Sequence, residues 1–587
     1  MKSYHLCPIL FLPSLHAAEL SPSVPYAPDM FGKNVSLSGG IGIVAAHRDK
    51  NRGMNSGAIY VFRNLDTTTG NLHEDSILTA SETNDSDSFG DSVSLSGGAA
   101  LIGARNDDDL SVNSGAAYLF RDLDGGTPTA KLTASDGGRD DLFGRAVSLS
   151  GSIGLISAWW DDDKAVNAGA AYVFRNLDTA TGSINENAKL TASNGELRDH
   201  FGNSVSLSGT IGLVGAEMNN GKGANAGTAY VYRNLDTATG SITENARLTA
   251  SDAASQDSFG GAVSLSGTTG LVAAAGNDSG RGGIYIFHNL DTATGDITEN
   301  AKLITSDRTA NIGFGPLSHS GTTAIVGAPS DVIDGNRTGS VYLFRNIDTA
   351  IGNVTENVKI TSSDKAADDR FGHAVSLDGD NFLIGANFKG SFTGKAYAGN
   401  VSSLTTLDLG AASRTITGIS FMSEDHWIIG QTTDNNTVTL SAGDTANVTA
   451  AGRAIHVGQN SGSDGNALVI GGNLNATTIQ IGSQAGNAGN FLQLTATASI
   501  DVDTILLAAG NFLTIAGDHM ADVLPYLDDT ALQVWTGGSW QTVTPQNQSF
   551  LLSASYNGGF TTFGVIPEPS VVVLSALGAL PLLRRRR

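Results

Sequence analysis

The stretch FGNSVSLSGTIGLVGA, residues 201–216, decides the fold. Within it Ser204, Val205, Ser206, Leu207 and Ser208 alternate polar and apolar with the period of two that a half-buried strand requires. Gly209 and Thr210 supply a tight turn, and residues 211–216 are apolar and small, so the stretch reads as a β-hairpin. A third strand follows in GTAYVYRNL (residues 227–235) and a fourth in ENARLTAS (residues 244–251), after the polar loop DTATGSIT. Near-copies of the hairpin return as FGDSVSLSGGAALIGA from Phe89, FGRAVSLSGSIGLISA from Phe143 and FGGAVSLSGTTGLVAA from Phe259.

Seven Phe-Gly pairs open such units, at Phe31, Phe89, Phe143, Phe201, Phe259, Phe314 and Phe371, at intervals of 58, 54, 58, 58, 55 and 57 residues. A small four-stranded antiparallel sheet with no helix to cover it has to stack on its neighbour. The ends of the array decide whether the stack is open or closed. The seventh unit stops after Gly394, Lys395, Ala396, Tyr397 and Ala398, and no KLTAS-like strand follows. The missing piece stands at the front, where AELSPSVPYAPDMFG (residues 18–32) matches AKLTASDGGRDDLFG (residues 130–144) in length and in the position of its Leu, Ser and Phe-Gly. A strand within residues 18–23, supplied by Leu20 to Ser23, is therefore expected to complete blade seven. The all-β result is a closed seven-bladed β-propeller over residues 18–400, whose edges are short and protected. Gly103, Gly215, Gly327 and Gly385 are expected where blades converge and strands approach closely.

This array, from Glu19 to about Asn400, is similar to FG-GAP repeat proteins, the family that includes the integrin alpha-subunit propeller. The Phe-Gly pair, the LVGA or IVGAP (residues 325–329), the GxAYVF and the KLTAS carry the likeness. It implies a propeller used for extracellular binding. Integrin blades often insert an Asp-rich calcium loop between their first two strands; here only Ser-Gly-Gly, Ser-Gly-Thr or Ser-Gly-Ser stands there, so those ligands do not carry over.

Composition narrows the partners. In 587 residues, 57 acidic against 34 basic side chains give a net charge of −23, which repels phosphate backbones and anionic membrane surfaces and argues against nucleic acid. The 73 glycines and only 16% charged residues describe a packed chain with many tight turns. Cys7, the one cysteine, lies in a leader-like segment, so the mature chain has neither an internal disulfide nor a cysteine metal site.

Function is sought where the copies diverge, in the connection between the second and third strands. Directly after the second strand stand His47, Arg105, Trp159, Glu217, Ala275, Pro329 and Asn387, with no chemistry in common. Two of these loops carry acidic triplets, Asp107, Asp108, Asp109 and Asp161, Asp162, Asp163, and a third holds Asp331 and Asp334. They are the candidate calcium ligands, yet calcium wants six to eight oxygens from a loop that turns back on itself, and an Asp run lacks the Gly-spaced geometry. A solvated acidic loop is the favoured reading, and no cofactor is required. Trp159 and Trp160 are the candidate binding residues, a stacking platform for a sugar ring, against the alternative that they fill a gap at the rim. The histidines share no repeat position, and neither a GxSxG elbow nor an HExxH motif is present. GKGANAG (residues 221–227) reads as a flexible loop in place of a phosphate cradle.

Beyond Asn400 the pattern changes. AIHVGQNSGSDGNALVI (residues 454–470) and TIQIGSQAGNAGNFLQL (residues 478–494) match at a 24-residue offset, and TILLAAGNFLTI (residues 504–515) is a shortened third copy. Short apolar strands broken by Gly-Asn turns predict a β-solenoid over residues 401–517, resembling the β-helical segments of bacterial surface proteins, with a capping β segment over 518–564.

Both ends read as address labels. Residues 1–17 have the apolar run and small-residue exit of a secretory signal peptide. VIPEPSVVVLSALGALPLLRRRR (residues 565–587) joins Pro567, Glu568 and Pro569 to fourteen mostly apolar residues and then Arg584, Arg585, Arg586 and Arg587. As a helix the apolar run covers about 21 Å, short of the roughly 30 Å bilayer core, and suits a transient inner-membrane intermediate with the arginines on the cytoplasmic side. This tail resembles the PEP-CTERM sorting signal of exopolysaccharide-producing Gram-negative bacteria, which implies an exosortase-type protease as partner. The expectation is an exported, non-enzymatic cell-surface or extracellular-matrix protein that binds exopolysaccharide or surface proteins through propeller loops. A secreted polysaccharide hydrolase or lyase, and a purely structural coat protein, are the alternatives.

Overall fold

The computed structural model describes residues 18–401 apart from 25–28, 51–54, 68–69, 81–85, 307–311, 334 and 363, together with strands between 413 and 565. The chain divides into two compact units that part between Thr405 and Thr406. The expected leader and the tail from residue 566, with the expected hydrophobic helix, the Pro-Glu-Pro triplet and the arginines, lie outside the described residues.

The first unit is seven blade sheets in the expected strand order, with a separate two-stranded sheet of Val332–Ile333 and Asn336–Arg337 in the loop of blade six. In blade four the strands are Ser204–Ser208, Ile211–Ala216, Thr228–Tyr232 and Ala246–Leu248, so the hairpin falls where the alternation placed it. The first strand of each blade touches the first strands of the blades on either side, and the series closes where Ala374–Asp378 of blade seven meets Val35–Ser38 of blade one. These strands form an inner wall.

Two circles of hydrogen bonds run around that wall. In one, the Leu95 amide donates to Ser36 Oγ at 2.9 Å, and the same bond joins each pair of neighbouring blades until the Leu37 amide reaches Ser376 Oγ at 3.0 Å. In the other, the turn glycine of each hairpin donates to the last serine of the preceding first strand, and Gly39 closes the circle on Asp378 Oδ2 at 2.7 Å. The polar half of the Ser-Val-Ser-Leu-Ser alternation thus bonds the next blade, which explains why it is serine and not a long charged side chain.

Closure is made by Ala18–Leu20, antiparallel to Lys395–Asn400 in the register Ala18↔Ala398, Glu19↔Tyr397, Leu20↔Ala396. The strand sits slightly ahead of the expected Leu20 to Ser23. Ser23 is held elsewhere, its amide and hydroxyl both donating to the Glu74 carboxylate.

Four strands per blade is corrected to five in five of the seven sheets. The polar connection read as a loop reaches back to the preceding blade: Gly240–Thr243 pairs in parallel with Ala188–Thr191 of blade three, and equivalent segments extend blades two, four, five and seven. These segments are largely exposed and polar, so no apolar periodicity marks them. The open ladder of the neighbouring fourth strand recruits them. A clamp then fixes them, as when Glu244 accepts both the Ser193 amide at 2.8 Å and its hydroxyl at 2.5 Å. The same Ser and Glu pairing recurs at Ser135 with Glu186, Ser251 with Glu299 and Ser306 with Glu356.

Between blades the core is apolar and tight. Phe201 packs edge-on against Tyr230 at 5.4 Å and Tyr232 at 6.1 Å, an arrangement that suits aromatic quadrupoles. A Cβ on Gly215 would stand 2.0 Å from the Gly260 carbonyl oxygen, and Gly103, Gly327 and Gly385 face the same limit across their own interfaces. The close approach expected of these four glycines is what the structure shows.

In the second unit strands pair in parallel, with Ile455 beside Ile479, Thr478 beside Thr504, and Ala467 beside Phe491 and then Phe512. The last partners are antiparallel, Phe512–Ala516 with Phe560–Val565 and that strand with Leu552–Asn557. Among the described residues no helix is long and apolar enough to cross a membrane.

Candidate functional site

The loops between second and third strands leave the propeller at the end where first strands begin. Three residues past each second strand lies a buried polar side chain: Asp49, Asp107, Asp161, Asn219, Asn277, Asp331 and, in blade seven, Lys389. This column escapes a reading that stops at the residue directly after the strand. It meets the third-strand tyrosine and the lysine of KLTAS. Asp107 Oδ2 accepts the Tyr118 hydroxyl at 2.7 Å and pairs with Lys131 Nζ at 3.0 Å, and Asp161 repeats this with Tyr172 and Lys189 at 2.7 and 2.8 Å.

The two acidic triplets are therefore loop braces. Their middle members accept backbone amides across the loop, Asp108 from Asn113 at 2.6 Å and Asp162 from Asn167 at 2.7 Å. Their last members, Asp109 and Asp163, ion-pair with the same lysines as their first. Asp136, Asp161 and Asp163 converge closely enough to suit a metal ion, and the Lys189 ammonium stands among them at 2.8, 2.8 and 2.6 Å. Burial disfavours that ammonium, but hydrogen bonds to the three carboxylates outweigh it and raise its pKa. The cation of this cluster is supplied by the chain itself.

Where the column offers no carboxylate, the tyrosine turns to the loop that leads from the preceding blade into its own. Tyr230 donates to Asn194 at 2.9 Å, Tyr285 to Asp252 at 2.6 Å and Tyr397 to Asp364 at 2.7 Å. Asn219 and Asn277 instead donate to Asp199 and Asp257, and Lys389 pairs with Asp369 at 2.7 Å.

Trp159 and Trp160 stack on each other, with ring centres 5.5 Å apart and an interplanar angle of 21°. Trp159 lies 4.9 Å from the His200 ring, and the Arg145 guanidinium sits over it at 4.9 Å. Both indoles are half-buried, and neither Nε1 has a hydrogen-bond partner.

Arg145 belongs to a second column that the sequence analysis did not single out, the residue after each Phe-Gly. Blades seven, one, two and three place His373, Lys33, Asp91 and Arg145 there; blades four to six place Asn203, Gly261 and Pro316. Lys33 Nζ bonds His373 Nε2 at 3.1 Å, and Arg105 Nε lies 3.3 Å from Asp91 Oδ2. The charges on Lys33, Arg105, Arg145 and Arg370 act on one another across this arc, with Asp91 and Glu217 as the opposing carboxylates. Burial and the neighbouring cations hold His47 down at about 4 and His373 at about 3, so both are neutral imidazoles at pH 7. Several buried polar atoms here have no hydrogen-bond partner: Arg105 Nε, Arg145 Nε, His47 Nδ1, and both Oδ1 and Nδ2 of Asn387, a residue only 1% exposed.

The family described as FG-GAP repeat matches residues 16–62, 73–120, 127–174, 184–232, 242–287, 297–344 and 354–401. No curated protein matches the chain in sequence. Among solved structures, the chain is similar to apo AztD from Citrobacter koseri at 10% identity and a TM-score of 0.34, over 63% of this chain and 84% of that one.

Proposed function

We propose, on the premise that this chain belongs to the FG-GAP repeat family, that it is an exported cell-surface or extracellular-matrix protein that binds a partner through the loop end of its propeller and catalyses no reaction. One observation carries the reading: over a scaffold repeated seven times, the loops between second and third strands diverge, and they present two stacked, half-buried indoles beside a guanidinium. The hydrolase or lyase alternative asks for converging carboxylates, one of them kept protonated near neutral pH. Lys189 spans the converging trio, and its hydrogen bond, working against burial, lowers the Asp136 pKa. At this trio that favours binding over acid catalysis, while burial pushes the neighbouring Asp141 up to about 6. The spanning lysine also argues for a fold indifferent to calcium.

In this reading the parallel-paired strands past residue 401 form a β-solenoid stalk with a cap over 518–564. The leader exports the chain. The tail, with Pro567, Glu568, Pro569 and the four arginines, enters the inner membrane transiently and is cut by an exosortase-type protease. The partner outside is exopolysaccharide or another surface protein. A glycan array probed with the full chain, with and without calcium, tests this. Binding that is indifferent to calcium and lost on Trp159→Ala with Trp160→Ala is expected; absence of binding to any glycan would leave the structural-coat reading.

A further inference from the structure

We infer that the inner ring at the loop end is a site for a carboxylate-bearing sugar, a uronate residue of an acidic polysaccharide, held by Arg145 and Lys33. The inference deepens the binding role proposed above and rests on it.

The chain as a whole is strongly acidic, so a local excess of cations is not a by-product of composition. Lys33, Arg105 and Arg145 are opposed here by the carboxylates of Asp91 and Glu217, with Arg370 adding a further positive charge. Of these cations Arg105 has a carboxylate at ion-pair distance, whereas Lys33 bonds a neutral imidazole, Arg370 lies 3.8 Å from the Phe388 ring, and Arg145 rests on Trp159. Elsewhere in the propeller lysines are matched to carboxylates, as at Lys131, Lys189 and Lys359. Other cations without a carboxylate, such as Lys164, Arg175 and Arg233, are answered by backbone carbonyls, whereas the Lys33 ammonium and Arg145 Nε have neither.

Buried donors without acceptors are costly, and the ring holds them at Arg145 Nε and the Asn387 amide. An incoming carboxylate would satisfy guanidinium and ammonium together through charge-assisted bonds. Opposite, blades five and six carry only the uncharged Gly261, Ala275, Pro316 and Pro329 in the two ring columns, so they add no carboxylate that would repel the ligand. The stacked indoles favour a pyranose over a peptide carboxylate, because a flat aromatic face suits the CH face of a sugar ring.

The test is calorimetric titration of the full chain with a hexamer of galacturonic acid, its fully methyl-esterified counterpart and a hexamer of glutamic acid. The free uronate is expected to bind at least tenfold more tightly than the ester, to weaken with added salt, and to lose at least tenfold in Arg145→Gln and in Lys33→Gln. Both side chains are partly buried and glutamine keeps much of either stem, so the variants are expected to stay folded, and a melting temperature accompanies each titration. Equal binding of acid and ester, abolished only by Trp159→Ala with Trp160→Ala, would overturn the uronate site while leaving glycan binding intact. Binding of the glutamate hexamer alone would overturn the assignment to a sugar. Binding of none would overturn both the site and the glycan role.

Discussion

Glu19 and Lys395, 376 positions apart in sequence, form an ion pair at 2.5 Å across the seam that closes the propeller. The pair inverts a rule kept elsewhere. The fourth-strand position that Glu19 occupies is Lys131, Lys189, Lys302 and Lys359 in other blades, and the loop position that is Asp107, Asp161 and Asp331 becomes Lys389 in blade seven. Blade seven thus carries the charges the other way round, with half its reversed set on the first strand of the chain. The seam is chemically distinct from the other six interfaces.

Lys395→Ala removes the partner of both Glu19 and Asp364. Since all three side chains are partly exposed, a loss of about 1 kcal/mol in stability is expected, read by denaturant titration.

Lys189→Ala leaves Asp136, Asp161 and Asp163 without their ammonium. Asp161 is buried but the other two reach solvent, so the cost falls near or below the low end of the roughly 3–5 kcal/mol of a broken buried pair. The wild-type melting temperature is expected to ignore calcium, whereas the variant gains stability on calcium addition; a calcium response in the wild type would contradict the account.

His319 stands where six other blades have the leucine of Ser-Leu-Ser, and its ring is bonded to Ser264 and to the Thr269 carbonyl. Burial holds its pKa at about 4, below the unfolded 6.5. The neutral ring's contribution is therefore complete above pH 6.5 and is lost as pH falls towards 4. His47 and His373 act in the same sense. His319→Leu is expected to reduce the stability lost between pH 7.5 and 4.5 by about 2–3 kcal/mol.

Gly215→Ala drives a methyl group into the backbone oxygen of Gly260, which has no side chain to yield, and is expected to cost about 3 kcal/mol. Gly209→Ala meets no atom but sits at φ +56°, and is expected to cost about 1–2 kcal/mol. Thermal melts of the two variants check the order.

Much of the propeller was legible because its signals are local: alternation in Ser204 to Ser208, the turn at Gly209, and a front segment shaped like a missing fourth strand. The fifth strands were not, since Gly240–Thr243 has no apolar rhythm and is held by another blade's open edge. The ring was hidden for a different reason. Lys33, Asp91, Arg145 and His373 share no chemistry, so a search for a repeated residue discards each one; their meaning lies in the sum around the circle. The lysines that pair with the acidic triplets stand 22 to 28 residues further on, so that pairing could not be read from the triplets alone.

Circular closure is the claim on which the binding end depends, and backbone amide hydrogen exchange reads it directly. The Glu19 amide donates to Gly70 O at 2.9 Å and the Ser21 amide to Leu72 O at 3.2 Å, while Ala18–Leu20 pairs with blade seven. Protection of the amides of Glu19, Leu20 and Ser21 comparable to that of Ala396 to Ala398 is the predicted result. Exchange of residues 18–21 at the rate of an unfolded peptide, with blade seven still protected, would contradict it.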